Sequence, residues 1–477
     1  MDSIGILSSL YEKAVGCQPS DVVELPSSGS NRRYFRLSGS KSLIGVIGTV
    51  KEENEAFLYF DEHFRERGIP VPHIEIVSDD HMAYLQQDLG DTLLFNAIEK
   101  GRKTRVFSDQ ERSLLTKTIR RLPDIQFNGA VGLDFSKCYP AAEFDVRSIM
   151  WDLNYFKYCF LKATGLEFQE DRLEDDFQAM AEVLMRSSSS TFMYRDFQSR
   201  NVMIADGEPW FIDFQGGRKG PFYYDVASFL WQAKANLTDS LRQELIGEYI
   251  DSLRKYKPVD EEYFHEQLRH FVLFRILQVL GAYGFRGYFE KKPHFIQSVP
   301  YAIENLRNLL REPYPEYPYL SKVLGELVDM KQFSEELEKR TLTAKVMSFA
   351  YKKGIPNDTT GNGGGFVFDC RAVNNPGKYE RYKPFTGLDE PVIKFLEDDG
   401  EITEFLSHCN ALVDASVRRY MERGFSNLMV AFGCTGGQHR SVYCAQHMAE
   451  RLNREFNIKV ELVHREQNIE QLFKPKH

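Results

Sequence analysis

The feature that most constrains the fold of this chain is a change of pattern about two thirds of the way along it. Residues 311–320 read REPYPEYPYL and residues 331–340 read KQFSEELEKR. The first stretch is proline-rich and the second is an exposed, charged helix, so the region reads as a boundary rather than as part of a core. Before it, from 222 to about 312, helical periodicity dominates. After it come the glycine-rich GIPNDTTGNGGGFVFD, a helical stretch from PVIKFLEDDG to RRYMERG, the strand-like NLMVAFG, a second helix and the strand-like KVELVHRE. That alternation predicts a small α/β domain with a mainly parallel sheet. A length of 477 residues already exceeds one ordinary core. The pattern therefore predicts a first domain over 1–330, a linker over 331–341 and a second domain over 342–477.

Within the first domain, residues 1–95 alternate short β-like runs with one helix. VVELPSSGSNRRYFRLSGSKSLIGVIGTV reads as three strands, with turn chemistry at Ser27–Ser30 and Ser38–Ser40. ENEAFLYFDEHFRERG places Phe57, Phe60 and Phe64 on one helical face and stops at Gly68. From 96 to 312 the pattern is mostly helical, broken by β-like pieces between 191 and 215.

Composition narrows the class. Apolar content of 42% and charged content of 27% are those of a globular protein. A net charge of -9 argues against a general binder of nucleic acid or anionic membrane. The seven cysteines, at 17, 138, 159, 370, 409, 434 and 444, form no CxxC pair, which points to reduced thiols in a cytoplasmic protein and away from structural zinc. MDSIGILSSLYEKAVG has no basic, apolar leader pattern, and no apolar run approaches the length of a membrane span, so neither a signal peptide nor a membrane segment is expected.

The chemistry-bearing stretch is FMYRDFQSRNVMIADGEPWFIDFQGG, with Asp196, Asn201 and Asp213. Phosphoryl transfer from ATP needs a carboxylate to orient or deprotonate the attacking hydroxyl, and an amide and a second carboxylate to hold Mg²⁺ against the phosphates. Asp196 suits the first role; Asn201 and Asp213, as hard oxygen donors, suit the second.

YRDFQSRN, IDF and YYDVASFL in this order resemble the kinase-like phosphotransferases of the aminoglycoside and choline kinase superfamily. The resemblance spans roughly 15–312 and implies an α+β, protein-kinase-like bilobal domain that uses ATP and Mg²⁺. It also implies that Asp225 supports the catalytic loop and that Ser28, Gly29 and Ser30 lie in the loop over the ATP phosphates. Such kinases pair a helix glutamate, here Glu55, with a strand lysine. SLIGVIGTV carries Val46, Ile47 and Gly48 where that lysine is expected, so Arg33 could supply the charge, with Lys51 or no replacement as the alternatives. SNRRYFRL, LQQDLGD and RILQVLGAYGFRG are most similar to a bacterial branch that phosphorylates the anomeric hydroxyl of N-acetylmuramate or N-acetylglucosamine in cell-wall recycling. Asp88 and Asp91 fall near a hinge, where they could instead cap a helix, and Tyr194-Arg195 stand where that superfamily often has His-Gly.

A second constellation is VAFGCTGGQHRS, where a strand ends in Cys434 and Arg440-Ser441 open a helix. Cys-x5-Arg is the spacing of a cysteine-dependent phosphatase loop. Gly436 and Gly437 allow close backbone approach, Arg440 could clamp a phosphate, Ser441 could cap the helix, and the electropositive setting would lower the Cys434 pKa. A phosphatase also needs a general acid; no W-P-D-type loop is present, and Asp389 in TGLDEPV could stand in. Together FVFDCR, TGLDEPVIKFLE and the Cys434 loop resemble the C-terminal domain of the RNase adapter RapZ over about 342–467. That domain binds RNA, senses glucosamine-6-phosphate and oligomerises. The resemblance implies a phosphate pocket lined by Cys434, Thr435, Gly436, Gly437, His439, Arg440 and Ser441 and bordered by Asp369 and Arg371, with homo-oligomers as an expectation. Three departures stand out. Gly377 replaces a histidine common in RapZ, the terminal stretch mixes Lys474 and Lys476 with Glu466 and Glu470, and no GxxxxGK[ST] motif is present. The thin basic tail disfavours RNA as a partner.

The expectation is thus an ATP- and Mg²⁺-dependent phosphotransferase acting on an amino sugar, joined to a phosphosugar-sensing domain. The alternatives are an RNA- or protein-binding adapter with a degenerate kinase half and, further off, a phosphatase using Cys434.

Overall fold

The computed structural model describes residues 3–26, 32–187, 190–333, 342–358, 365–423 and 425–475. It divides into two compact units, Met1–Met330 and Lys331–His477.

In the first unit, helix α1 (Ser3–Val15) precedes strands β1 (Asp21–Leu25), β2 (Arg33–Ser38) and β3 (Leu43–Ile47). Helix α2 (Lys51–Glu66) and strands β4 (Ile74–Val77) and β5 (Ala83–Gln87) complete the small lobe. The five strands form an antiparallel sheet in the order β1-β2-β3-β5-β4. Strand alternation splits β2 between two faces. Phe35 and Leu37 meet Leu7, Leu10 and Tyr11 of α1. The helical spacing read from the sequence is realised in α2, which buries Phe57, Phe60 and Phe64 and ends before Gly68, whose φ is +71°. Phe57 stacks on Tyr84 of β5 and on Phe214, while Phe64 meets Phe192 and Phe214 edge-on. This aromatic layer ties the small lobe to the segments that flank Asp213.

The large lobe comprises α3 (Asp109–Pro123), α4 (Val146–Phe156), α5 (Glu170–Arg186), α6 (Tyr223–Leu230), α7 (Asp239–Leu253), α8 (Glu261–Gly284), α9 (Val299–Leu309) and α10 (Pro318–Val328). Between α5 and α6 lie two short antiparallel pairs, β6 (Thr191–Met193) with β9 (Arg218–Gly220), and β7 (Val202–Ala205) with β8 (Glu208–Phe211). Helix α8 is buried around most of its circumference, as expected of a central helix. Its Gly281 and Gly284 sit against the backbone of Phe156 and Cys159, where a Cβ would come within 2.8 and 2.2 Å of main-chain atoms.

The second unit holds a five-stranded sheet in the order β11-β12-β10-β13-β14. Strands β10 (Thr343–Ala350), β11 (Gly365–Asp369), β12 (Asn427–Cys434) and β13 (Lys459–His464) run parallel, and β14 (Ile469–Phe473) returns antiparallel to β13. The α/β architecture matches the expectation. However, the central strand β10 and the edge strand β14 are additional to the three strands the pattern indicated. Helices α11 (Glu390–Asp399), α12 (Glu401–Arg423) and α13 (Arg440–Phe456) supply the rest of a core built on Val346, Val430, Phe432, Val460, Leu462, Val413, Val417 and Met448. Among the described residues no helix is long and apolar enough to cross a membrane.

Candidate active site

The site grows from the connection between β6 and α6. The chain leaves β6 through Tyr194 and turns at Arg195, whose φ is +73°. Such a backbone is strained for a non-glycine residue and needs support. Asp225, fully buried on α6, supplies it: its two oxygens accept the backbone N–H groups of Tyr194 and Arg195, each at 2.9 Å, and Gln126 Nε2 donates at 3.1 Å. Burial pushes the Asp225 carboxyl up to about 7, against the pull of these donors. The geometry is that of a carboxylate shaping the Asp196 loop.

Asp196 follows at once, its side chain half exposed, with Oδ1 accepting Arg275 Nη2 of α8 at 3.1 Å. Asn201 closes the turn, donating Nδ2 to the Asp196 carbonyl at 2.9 Å and leaving its Oδ1 without a partner among the described residues. The β7–β8 hairpin then brings the chain back to Asp213, whose φ is +67°. Gln215 Nε2 donates to Asp213 Oδ1 at 2.7 Å. Burial raises the Asp213 pKa; the Gln215 bond opposes it, and the Asp196 charge adds to it.

A cavity of about 270 Å³ is lined by Glu53, Tyr139, Tyr194, Arg195, Asp196, Asp213 and Gln215 among others. Asp196 and Asp213, read from the sequence, thus face one space, and Asn201 is bonded to the Asp196 main chain.

The nucleotide side requires a correction. Arg33 points to the α1 face: it forms a bidentate pair with Glu24 of β1 at 2.8 Å, donates to Ser3 at 2.9 Å and lies over the Phe35 ring. Glu55 is exposed and faces Lys51 at 3.7 Å and His81 at 3.3 Å. The buried pair is Arg32 with Glu53: Arg32 is 2% exposed, and its Nη2 lies 3.4 Å from Glu53 Oε1 and 3.2 Å from the Glu53 carbonyl. Strand parity explains the swap, because Arg32 and Arg33 project to opposite faces of the sheet. With Arg33 opposite Ile47, Arg32 falls one position on, beside Gly48, where the lysine was expected. Glu53 also meets Gln215 at 3.4 Å, linking this pair to Asp213. Ser28, Gly29 and Ser30 lie outside the described residues. Asp88 and Asp91 cap no helix; both pair with Arg36, and Asp88 also accepts Ser42.

Sequence reasoning missed Arg32, Glu53, Gln215 and Arg275. Only the Arg32-Arg33 doublet carried a signal, since either parity could face the site.

In the second unit, Cys434 ends β12 and Arg440 begins α13. Gly437, at φ +66°, donates its N–H to Cys434 Sγ at 3.2 Å, and the Ser441 hydroxyl lies 3.1 Å from that sulfur. Burial pushes the Cys434 thiol up, but the donors from Ser441, Gln438 and Gly437 outweigh it and leave the pKa below its ordinary value. Thr435 and Gly436 are exposed. Arg440 is buried; its Nη1 donates to the carbonyls of Arg371 and Val373 at 2.9 and 2.6 Å, tying the chain after β11 to α13, and its buried Nε has no partner among the described residues. Asp389 Oδ2 accepts the Thr386 N–H and hydroxyl at 2.6 and 2.9 Å, a turn contact that leaves Oδ1 without a partner among the described residues. His439 meets the Tyr382 carbonyl at 3.1 Å, and Asp369 and Arg371 pair with each other at 2.6 Å.

An antiparallel small lobe over a helical large lobe, with an Asp/Asn/Asp set at their junction, defines a kinase-like phosphotransferase fold. The model described as "Phosphotransferase enzyme family" matches residues 21–259, about half of the chain, and the chain belongs to that family. A second family model, "RapZ C-terminal domain", matches residues 342–468. A nucleotide-binding protein of Staphylococcus epidermidis is 42% identical over 149 residues, covering 31% of this chain and 47% of that one. A nucleotide-binding protein of Fervidobacterium nodosum is 37% identical over 130 residues, covering 27% and 44%. The chain spans about half the length of the curated relatives it matches. Among solved structures, a choline kinase of Streptococcus pneumoniae is similar, at 13% identity and a TM-score of 0.44, over 65% of this chain and 99% of that one.

Proposed function

We propose that the first unit transfers the terminal phosphoryl group of ATP to a hydroxyl of a small acceptor, an amino sugar. The observation that carries this is the convergence of Asp196 and Asp213 on one cavity, with Asn201 bonded to the loop between them. Asp196 would orient the acceptor hydroxyl and take its proton as the oxygen attacks phosphorus. Its Arg275 contact fixes the carboxylate without removing its second oxygen from use. Asn201 Oδ1 and Asp213 are oxygen donors suited to Mg²⁺, which such sites hold through few protein ligands with the nucleotide phosphates completing the shell. When bound, Mg²⁺ supplies neutralisation of charge on those phosphates. Arg32, held by Glu53, would stand in for the strand lysine. The reading of a degenerate kinase half rested on a missing cation, and Arg32 weakens it.

The amino-sugar assignment is supported by the likeness of SNRRYFRL, LQQDLGD and RILQVLGAYGFRG to sugar kinases and by the match to the RapZ C-terminal domain. In the second unit, we propose that the Cys434 loop holds a phosphosugar rather than cleaving one, a reading supported by the match to the RapZ C-terminal domain.

The test is ATP consumption with N-acetylmuramate, N-acetylglucosamine and related sugars, comparing wild type with Asp196→Asn. Losing a positioned base costs about 10²–10⁴-fold in turnover. Wild-type inactivity on every sugar, or equal turnover by the variant, would overturn the phosphotransferase reading. For the second unit, phosphate release abolished by Cys434→Ser would restore the phosphatase reading.

A further inference from the structure

The proposed transfer uses the charged groups of the cavity at Asp196 and leaves an aromatic side chain on its wall without a task. Two aromatic residues line that space, Tyr139 and Tyr194. Tyr194 is 1% exposed, its ring meets Phe192, Phe197 and Phe214, and its hydroxyl donates to the Ile212 carbonyl, so it belongs to the core. Tyr139 is only half-buried. Its hydroxyl has no hydrogen-bond partner and its ring meets no other ring among the described residues. Pro140 lines the same cavity. So does Gly216, where a Cβ would meet nothing within 4 Å, so the space over it is open.

The chain between α3 and α4 carries Tyr139 to that wall and is anchored on both sides of it. Upstream, the Asp134 N–H donates to the Tyr59 hydroxyl of α2 at 2.7 Å, and the Lys137 and Cys138 N–H groups bond back to the carbonyls of Asp134 and Phe135 at 3.1 and 3.2 Å. Downstream, Lys219 of β9 donates its N–H to the Ala142 carbonyl at 3.0 Å and accepts the Phe144 N–H at 2.8 Å. Phe144 is buried against Phe271 and Phe274 of α8. Residues 139–141 span these anchors and make no hydrogen bond among the described residues. Tyr139 is thus held in place by its neighbours in the chain rather than by contacts of its own. A half-exposed ring of this kind adds little to a core, whereas binding cavities use such rings as flat apolar walls. Apart from Tyr194 and Gly216, the rest of the lining is Glu53, Arg195, Asp196, Asp213 and Gln215. Those charged and polar groups suit phosphates, Mg²⁺ and hydroxyls, which leaves Tyr139 and Pro140 as the apolar surface.

We propose that Tyr139, with Pro140 beside it, is the platform on which the acceptor rests: the tyrosine ring covers the apolar C–H face of a pyranose while a hydroxyl at the edge of that pyranose reaches Asp196. A pyranose has both surfaces this cavity offers partners for, polar edges and an apolar face. The inference rests on the phosphotransferase reading for what happens to the hydroxyl, but not for the binding of the sugar ring. Tyr139 is an acceptor-binding residue in this arrangement and takes no part in proton transfer.

The test uses the full chain with two pyranoses, N-acetylglucosamine and N-acetylmuramate. Binding is read by calorimetry without nucleotide, and turnover separately as ATP consumption at varied sugar and varied ATP. Tyr139→Ala should weaken binding of the sugar, and raise its KM, by about tenfold, the worth of a well-covered aromatic face. It should leave KM for ATP within about twofold. Tyr139→Phe, which keeps the ring, should stay within about threefold of wild type. Tyr139→Leu, which keeps bulk without a flat ring, should fall between the two and covers the case in which alanine disturbs the chain around it. Sugar binding unchanged in Tyr139→Ala, a rise in KM for ATP with that for the sugar unchanged, a Phe variant as weak as the Ala variant, or no binding of either sugar to the wild type overturns the platform. If a sugar binds in a Tyr139-dependent way but is not turned over in an Asp196-dependent way, the platform stands and the phosphotransferase reading falls. If Asp196-dependent turnover is indifferent to Tyr139, the transfer stands and the platform falls.

Discussion

At the scale of single residues, buried polar groups divide by whether their partners are complete. Asp225 is the completed case: two main-chain N–H groups and Gln126 satisfy it, and the loop it shapes carries Asp196. His464 is a second. Fully buried, it lies 2.9 Å by Nδ1 from the Ser348 hydroxyl and 3.1 Å by Nε2 from Gln446 Oε1, contacts that suit a neutral ring with one proton. Burial pushes its pKa down to about 4 from the ordinary 6.5. The unfolded chain therefore binds a proton at this ring below pH 6.5, whereas the folded chain resists until about pH 4. Stability from this group is present above pH 6.5 and is lost as pH falls through that window. Between pH 7 and pH 5 the loss amounts to about 2 kcal/mol. Urea melts of wild type and His464→Gln at the two pH values check it: the variant should show a drop smaller by about that amount. Equal drops would remove His464 as the cause.

At the scale of elements, a two-residue repeat decided which arginine serves the site. From the sequence, Arg33, Lys51 or no replacement stood open for the missing strand lysine, and Arg32 was not among them, because parity is set by which face α1 covers. Phe35 and Leu37 pack on α1, so Arg33 shares their face and Arg32 takes the other. The same packing rotates α2 so that Glu53, rather than Glu55, faces inward. Arg32→Ala or Glu53→Gln should raise KM for ATP about tenfold, the cost of a charge-assisted contact. Arg33→Ala and Glu55→Gln should leave KM within about twofold, as befits exposed pairs. Steady-state kinetics at varied ATP separate the two sets, and a larger effect at Arg33 than at Arg32 would reverse the assignment.

At the scale of the whole molecule, each unit encloses its own hydrophobic core, one of them built on Val346, Val430 and Phe432. Two such cores predict two unfolding transitions. ATP with Mg²⁺ at about one hundred times its Kd should raise the stability of the first unit by about 2.7 kcal/mol and leave the second in place. Calorimetric scans with and without nucleotide would show one peak moving; a single peak moving as a whole would mean that the cores unfold together.

The sequence by itself determined the change of architecture near residue 330, the helical aromatic face of α2, and the ordered Asp196, Asn201 and Asp213. These are local facts, carried by composition, period or spacing within a few tens of residues. The central strand β10 was hidden because a strand buried on both faces lacks clean alternation, and Lys345 and Ser348 interrupt its apolar run. The contacts that complete the sites came from packing alone. Glu53 reaches Gln215 across 162 residues, Arg275 reaches Asp196 across 79, and Arg440 is drawn to carbonyls 67 and 69 residues away. No short-range pattern encodes such pairs, because they depend on which faces of α2, α8 and α13 the cores bury. Tertiary structure thus chose Arg32 over Arg33 and drew Arg440 to the carbonyls of Arg371 and Val373.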